Sequence, residues 1–215
     1  MKQLNLFSYA SDDSSNYLEE DYILANTNQQ AYETIMNRCW HSMLLHGNKG
    51  SGKSYLLNMW RSKHNAHNIR HGLELNCTHF YIDDLDTCLT KEEEQILLLI
   101  SNLSLNKKAK ILIASSISIM NIDFQNIDLR LRLLSIQKVT LQNPSENLRY
   151  VIIAKAFYIR KLRVDNKVIK FLDKRFGGCY RDVIRFIDYL VQDGSCQTNR
   201  TLTIQYVKKI LNYLD

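Results

Sequence analysis

The sequence contains few of the residues that interrupt helices and strands. Proline occurs once, at Pro144, and glycine occurs seven times in 215 residues. Each of these residues therefore marks a turn or a boundary more clearly than it would in an ordinary chain. No run of about 18 apolar residues is present, so we expect no membrane-spanning helix.

The cysteines also lack a pattern. There are five of them, widely spaced, and no CxxC pair occurs. This usage predicts reduced thiols rather than a disulfide framework. The first seven residues lead into an acidic, serine-rich stretch instead of a long apolar run, so we do not expect a secretory signal. Together these features predict a cytoplasmic protein.

Composition and charge limit which classes of protein the chain can belong to. Hydrophobic residues make up 45% of the chain and charged residues 23%, as in globular proteins. The net charge of +6 is uneven: residues 1–50 hold three Lys or Arg against six Asp or Glu, and residues 141–215 hold 14 against seven. The basic C-terminal third suits nucleic acid or an acidic partner, and it equally suits a set of solvated helix faces.

Apolar spacing predicts alternating strands and helices up to about residue 141. The predicted strands are 42–46, 79–82 and 110–115, and the predicted helices are 26–40, 53–63 and 91–104. Strands that alternate with helices indicate an α/β fold with a parallel sheet covered on both faces.

The pattern changes near Pro144. Helices are predicted at 145–160, 165–175, 180–192 and 203–214. We therefore expect a flexible N-terminal peptide and tether at 1–20, an α/β core at 21–143 and a small all-helical lid at 144–215.

One segment fits the phosphate-binding pattern GxxxxGK[ST] in full, between a predicted strand and a predicted helix. Its residues are Gly47, Asn48, Lys49, Gly50, Ser51, Gly52, Lys53 and Ser54. Glycines allow the backbone N–H groups to point at phosphates, Lys53 reaches the β- and γ-phosphates, and Ser54 binds Mg²⁺. The helix that follows adds the positive end of its dipole. The segment predicts binding of ADP or ATP with Mg²⁺.

A second motif follows the next predicted strand, where FYIDD occupies residues 80–84. Asp83 is the expected Mg²⁺ ligand, through water, and Asp84 is expected to orient the attacking water. The motif is weak alone, but it lies about 30 residues after the phosphate loop. At the end of the third strand, Ser115 and Ser116 either sense the γ-phosphate or form an ordinary loop.

Several segments together resemble the DnaA-type AAA+ family over residues 3–214, and most closely its Hda-like regulators. They are YILANTN (22–28), the two motifs above, DLRLRL (128–133), YRDV (180–183) and LTIQYVK (202–208). The resemblance implies an AAA+ P-loop core followed by a small helical lid. It implies nucleotide contacts by Ile23, Tyr55 and Arg181. It makes Arg132 an arginine finger that acts on nucleotide in a neighbouring subunit.

The N-terminal segment QLNLF is similar to the pentapeptide with which such regulators dock on the bacterial sliding clamp. The residues concerned are Gln3, Leu4, Leu6 and Phe7. Leu6 and Phe7 can fill an apolar pocket while Gln3 bonds to its rim, with the polar stretch behind them as a tether. The other interpretation is a frayed N-terminus that packs on its own core.

The chain departs from the family pattern in four places. Ala25 stands for a glycine, Leu131 for the serine before the finger, and Ser115-Ser116 for the usual sensor. Only 28 residues separate Ser54 from Asp83, which shortens one strand–helix unit. These departures predict weak intrinsic hydrolysis rather than a loss of nucleotide binding.

The expected function is negative regulation of replication initiation. An Hda-like protein binds the clamp and activates ATP hydrolysis by the DnaA initiator, with DNA contacted mainly through the clamp and no membrane partner. The resemblance also allows a homo-oligomer. Two alternatives stay open: a nucleotide-gated adaptor or loader that recruits a helicase, and an ATPase that acts on single-stranded DNA through the basic lid.

Overall fold

The protein is represented by a computed structural model that describes residues 22–37, 39–72, 77–87, 90–103, 109–177, 180–192 and 201–214. These residues form two compact units, one ending at Asn143 and the other beginning at Pro144. Within the described residues no helix is long and apolar enough to cross a membrane.

The first unit is a parallel sheet with helices on both faces. Its helices are α1 (Gln29–Asn37), α2 (Lys53–His64), α3 (Thr90–Leu103) and α4 (Ile127–Ser135). Its strands are β1 (Ser42–His46), β2 (His67–Asn68), β3 (His79–Ile82), β4 (Lys110–Ser115) and β5 (Gln137–Thr140). Three 3-10 turns span Ile69–His71, Leu85–Thr87 and Ile119–Asn121.

The strand order is β2-β3-β4-β1-β5, and every neighbouring pair is parallel. In register, Ser42 of β1 lies opposite Ile111 of β4, and His46 lies opposite Ser115. All carboxyl ends therefore meet at one edge of the sheet, where ligands bind in open α/β folds. The phosphate-loop segment, the acidic pair and the Ser115 turn all follow strands at this edge.

Strand residues alternate between two cores. Met43 and Leu45 of β1 pack with α1 and α2, whereas Leu44 packs with α3 and α4 on the opposite face. Burial on both faces explains why β1 and β4 are continuous apolar runs. The two tryptophans, Trp40 and Trp60, lie in the first of these cores with ring centroids 5.3 Å apart.

The second unit has its own core, which is built from four helices. They are α5 (Glu146–Ile159), α6 (Asn166–Arg175), α7 (Tyr180–Gln192) and α8 (Ile204–Leu214). Ser145 and Asp165 cap the N-termini of α5 and α6 with their side-chain oxygens. An ion pair joins α5 to α6, with Arg149 Nε 2.8 Å from Asp173 Oδ1.

The strands predicted at 42–46, 79–82 and 110–115 are confirmed. The predicted helices of both units are also observed; the bounds of 180–192 coincide, and those of the others differ by up to three residues at an end. The prediction missed β2, β5 and α4. β2 has two polar residues, and Val139 is the buried residue of β5, so neither strand shows an apolar pattern.

Candidate nucleotide-binding site

The loop between β1 and α2 has the backbone geometry that its glycines permit. Gly50 and Gly52 have φ values of 81° and 100°, which other residues rarely adopt. A Cβ on Gly47 would lie 2.6 Å from the backbone oxygen of Leu141 and 2.8 Å from Ser51 Oγ. The pattern at residues 47–54 therefore forms a close-fitting backbone cradle.

The side chain of Lys53 is directed into this cradle. Its Nζ donates to the backbone oxygens of Gly47, at 2.8 Å, and Asn48, at 3.0 Å. The residue is only 5% exposed. Burial lowers the pKa of Lys53, while the nearby carboxylates, Asp84 first among them, oppose that shift. A cationic donor is thus placed among backbone groups, where a phosphate would neutralise it.

The cradle contains donors that suit an anion. Ser51 Oγ is buried and has no hydrogen-bond partner among the described residues. The N-cap of α2 is Gly52, so no side chain caps the first turn of this helix. Buried polar groups in native proteins are normally paired, and phosphate oxygens at a helix N-terminus would pair these. The residues therefore fit a bound nucleoside phosphate.

The two predicted magnesium-binding residues lie together. The Ser54 side chain hydrogen-bonds to Asp83, and Asp83 Oδ1 accepts the backbone N–H of Asp84 at 3.0 Å. Burial raises the pKa of Asp83, the Ser54 bond lowers it, and the charge of Asp84 raises it further. Among the described residues no group of three or more His, Cys, Asp or Glu could hold a metal, so Mg²⁺ here would need phosphate and water oxygens, as it usually does.

Asp84, the carboxylate expected to orient the attacking water, has a left-handed backbone conformation with φ 50°. This conformation is uncommon for residues other than glycine, and neighbouring hydrogen bonds maintain it. A further acid, Asp86, accepts the backbone N–H of Ser116 at 3.3 Å. This hydrogen bond connects the acidic turn, residues 83–86, to the residue that follows β4. Asp86 lies outside the motif at residues 80–84, so sequence inspection missed it.

Ser115 supports the ordinary-loop interpretation rather than a phosphate sensor. Its Oγ donates to the backbone oxygen of Ile117 at 2.7 Å and accepts the N–H of the same residue at 3.2 Å. The residue is fully buried. The hydroxyl is therefore used within its own turn, and Ser116 contributes its backbone to Asp86.

The segment before α1 is held beside the start of α2. Asn28 Oδ1 accepts the N–H of Ala25 at 2.8 Å, and Asn28 Nδ2 donates to the oxygen of Ile23 at 2.9 Å. Tyr22 packs on Tyr55, the residue after Ser54, with centroids 5.6 Å apart. Burial raises the pKa of the Tyr22 phenol. Ile23 and Tyr55, both predicted to contact nucleotide, thus lie in or against the same short segment before α1.

Arg132 lies on α4, and its side chain bonds to a residue of the same helix. Its Nε donates to Asp128 Oδ2 at 3.1 Å, and its side chain is 42% exposed. The N-terminus of α4 is fixed by two side chains. Asn126 caps it, and the buried carboxylate of Glu93 accepts the Asn126 N–H at 3.0 Å. The helix that carries Arg132 is therefore well anchored, and Glu93 is a contributor that sequence inspection missed.

Two groups of predicted residues cannot be compared with the structure. Arg181 is the second residue of α7, in the second unit, but its side chain lies outside the described part of the chain. Gln3, Leu4, Leu6 and Phe7 also lie outside the described residues. Their roles stay predictions.

Asp83→Asn is expected to make the protein more stable at neutral pH. A carboxyl whose pKa is raised by folding binds its proton more tightly in the folded chain, so stability falls as pH rises between the unfolded and folded pKa values. Asparagine keeps an oxygen for the Asp84 N–H and removes the buried charge. The melting temperature should rise at neutral pH, and the gain should shrink near pH ~4, the ordinary range of Asp.

Asp128→Asn is the matched control for this change. Its carboxylate is 54% exposed and pairs with Arg132 across one helical turn, so its loss should bring no stabilisation. An Asp83→Asn protein that melts at or below the wild-type temperature at neutral pH would contradict the assigned burial effect.

The fold agrees with that of known nucleotide-binding proteins. Domain III of the Thermotoga maritima replication initiation protein DnaA is 16% identical, with a TM-score of 0.73 over 93% of this chain and 97% of that one. AMPPCP-bound DnaA from Aquifex aeolicus is 17% identical, with a TM-score of 0.65 over 82% and 65%. The Thermotoga maritima RuvB Holliday junction branch migration motor is 16% identical, with a TM-score of 0.64 over 92% and 71%.

No protein-family model and no curated protein matches the sequence. The structural likeness defines the class: this chain has the fold of an AAA+ P-loop NTPase, a parallel five-stranded sheet with flanking helices. Within that class its fold is of the DnaA type, as in domain III of the Thermotoga initiator. The predicted fold class is confirmed. At these identities the likeness concerns the fold alone.

Proposed function

We propose that this chain is an Hda-like negative regulator of chromosomal replication initiation. It binds ADP or ATP at loop 47–54, docks on the DNA-loaded sliding clamp through residues 3–7, and offers Arg132 to ATP held by DnaA. The observation that carries the proposal is the clamp-type peptide QLNLF in front of a DnaA-type AAA+ fold. Because it acts on the chromosome, we infer a cytoplasmic location.

Nucleotide binding is supported by the geometry of the loop. Lys53 bonds to two backbone oxygens of the loop, and the buried Ser51 hydroxyl has no partner among the described residues. The similar Aquifex aeolicus DnaA is AMPPCP-bound. Ser54 and Asp83 are the proposed Mg²⁺ residues. Mg²⁺ would neutralise phosphate charge there, while Asp84 orients water for a weak intrinsic hydrolysis. Arg181 is a further residue that we propose to contact the phosphates.

The trans role of Arg132 is supported by its surroundings on α4. Ile127, Leu131 and Leu134 are large apolar side chains of the same helix, and all three are exposed. An exposed apolar group beside an exposed arginine is suited to contact with another protein. The proposed occupant is the edge of the nucleotide site of DnaA, or of a second copy of this chain.

An arginine in this position would act by electrostatics. In phosphoryl transfer, charge develops on the oxygens of the transferred group, and a guanidinium supplied from a neighbouring subunit stabilises it. The regulator would thus hold nucleotide to maintain its own shape, and the hydrolysed ATP would belong to DnaA. Conversion to ADP-bound DnaA would switch the initiator off.

The deciding experiment measures ATP hydrolysis by purified DnaA with and without this protein, each with and without clamp-loaded DNA. We expect hydrolysis to increase when the protein and clamp-loaded DNA are both present. An unchanged rate under that condition would refute the proposed regulation.

The double variant Leu6→Ala/Phe7→Ala is expected to lose capture by immobilised sliding clamp. An aliphatic and an aromatic anchor commonly carry most of the energy of a small interface, so their truncation removes binding. Asn5→Ala, at the variable position of the same peptide, should be captured like wild type. If wild type is not captured either, the adaptor that recruits a helicase becomes the better hypothesis.

A further inference from the structure

The backbone oxygen of Asp84 is a meeting point for three donors. It accepts the N–H of Thr87 at 3.0 Å, the hydroxyl of Thr87 at 2.9 Å and Arg70 Nη2 at 3.1 Å. Asp84 is also one of the few residues other than glycine with a positive φ. Aspartate adopts that conformation more readily than most residues other than glycine, and these three bonds hold the turn that contains it.

Arg70 comes from a different part of the chain, and the sheet brings it to this place. It lies in the 3-10 turn Ile69–His71 directly after β2. β2 runs parallel to β3, with Asn68 opposite Tyr81, so the turns that follow the two strands lie at the same sheet edge. Asn68 Oδ1 accepts the Arg70 N–H at 3.1 Å and fixes the start of the turn.

The guanidinium of Arg70 is fixed on several sides. Besides Asp84, its Nη2 donates to Thr87 Oγ1 at 2.8 Å, and its Nε lies 3.5 Å from Glu92 Oε1 on α3. The Glu92 side chain is only 14% exposed and that of Arg70 34%. A planar fork with several donors can satisfy such a set of acceptors at once, which a lysine cannot do.

The hydrogen bonds continue from this turn to the proposed metal residues. The N–H of Asp84 donates to Asp83 Oδ1 at 3.0 Å, and the Ser54 side chain bonds to the same Asp83. The orientation of the Asp84 backbone therefore affects where the Asp83 carboxylate points. Arg70 donates to the backbone oxygen of Asp84, and the Asp83 carboxylate accepts the backbone N–H of Asp84.

We infer that Arg70 is a positioning residue for magnesium binding at the nucleotide site. It acts through the Asp84 backbone and does not touch the ion or the phosphates. This inference rests on the proposed nucleotide-binding function and assigns one further residue to that site. Its consequence is specific: loss of Arg70 should weaken the Mg²⁺-dependent part of nucleotide binding and leave the Mg²⁺-independent part intact.

The test compares the affinity for ADP in excess Mg²⁺ with that in EDTA, for wild type and Arg70→Ala. We expect Arg70→Ala to lose about tenfold in affinity with Mg²⁺, the effect of roughly one hydrogen bond to a charged group. Its affinity in EDTA should equal that of wild type. Thr87→Val removes a hydroxyl that bonds to both Asp84 and Arg70, and should show a smaller loss of the same kind.

Arg130→Ala is the matched control, since Arg130 also donates from Nη2 to a backbone oxygen, that of Met120, at 2.9 Å. It should bind ADP like wild type in both conditions. Arg70→Lys should recover part of the loss.

Three results would overturn the inference. The first is an Arg70→Ala protein with wild-type affinity in Mg²⁺, and the second is an equal loss in Mg²⁺ and in EDTA, which indicates general damage. The third is a wild-type affinity that does not depend on Mg²⁺, which refutes the inference but keeps the nucleotide site. A wild-type protein that binds no ADP in either condition refutes the proposed site, and the inference falls with it.

Discussion

Lys53→Ala is expected to lower the affinity for ADP and ATP about 100-fold. The ammonium group lies inside the loop, bonded to the oxygens of Gly47 and Asn48, where the phosphates of a nucleotide would meet it. Charge-assisted hydrogen bonds contribute about 1.5–3 kcal/mol each, and a loss of roughly 3 kcal/mol corresponds to about two powers of ten. Titration with a fluorescent nucleotide measures the change.

The loss should not come from unfolding. Burial lowers the pKa of Lys53, so its charge is less favourable in the folded chain than in water. Truncation also removes the two hydrogen bonds to the loop. The melting temperature of the nucleotide-free variant, compared with that of wild type, separates a local loss of binding from unfolding. Lys63→Ala removes the same charge from an exposed position on the same helix, outside the phosphate loop, and should change the affinity less than about threefold. A Lys53→Ala protein that binds like wild type would mean that loop 47–54 is not a nucleotide site.

Arg132→Ala should abolish stimulation of ATP hydrolysis by DnaA while leaving the protein's own nucleotide binding unchanged. An arginine placed at the developing charge can be worth roughly 10³–10⁵ in rate. Among the described residues the side chain bonds across one helical turn to Asp128, in an exposed pair. Such pairs contribute little to stability, so folding should be preserved. The measurement is DnaA turnover on clamp-loaded DNA.

Arg130→Ala provides the comparison, because it removes an equal charge two residues away on the same helix. Arg130 bonds to Met120 within its own unit, so its variant should retain most of the stimulation. If Arg132→Ala stimulates DnaA as well as wild type does, the finger must be another residue. If both variants lose activity equally, the effect belongs to the surface of α4 rather than to Arg132.

The strands that the sequence predicted well are those buried on both faces. β4 was predicted with its observed bounds, since Ile111, Leu112 and Ile113 form an apolar run that ends in polar residues. β5 lies at an edge of the sheet and has mainly exposed residues, so its backbone pairing with β1 leaves no mark in the side-chain pattern. Pairing of that kind depends on the remainder of the fold.

The candidate site also has a part that a local sequence pattern reveals and a part that depends on long-range contacts. The phosphate loop is local: eight consecutive residues contain the glycines, the lysine and the serine, and a pattern in sequence is enough to find them. Arg70 and Glu93 act on residues 14 and 33 positions away. Arginines and glutamates are common on surfaces, so neither could be selected before the sheet and α3 had brought them to their partners.

The tryptophan pair gives the molecule a built-in spectroscopic reporter. The sequence holds two tryptophans, and both lie in the unit that ends at Asn143, with Trp60 two helical turns after Lys53 on α2. Tryptophan emission therefore follows the core behind the phosphate loop and contains no signal from residues 144–215. Far-UV circular dichroism measures the helix content of both units together. Melting curves that coincide in the two signals would show that the units unfold together, and separated curves would show which unit opens first.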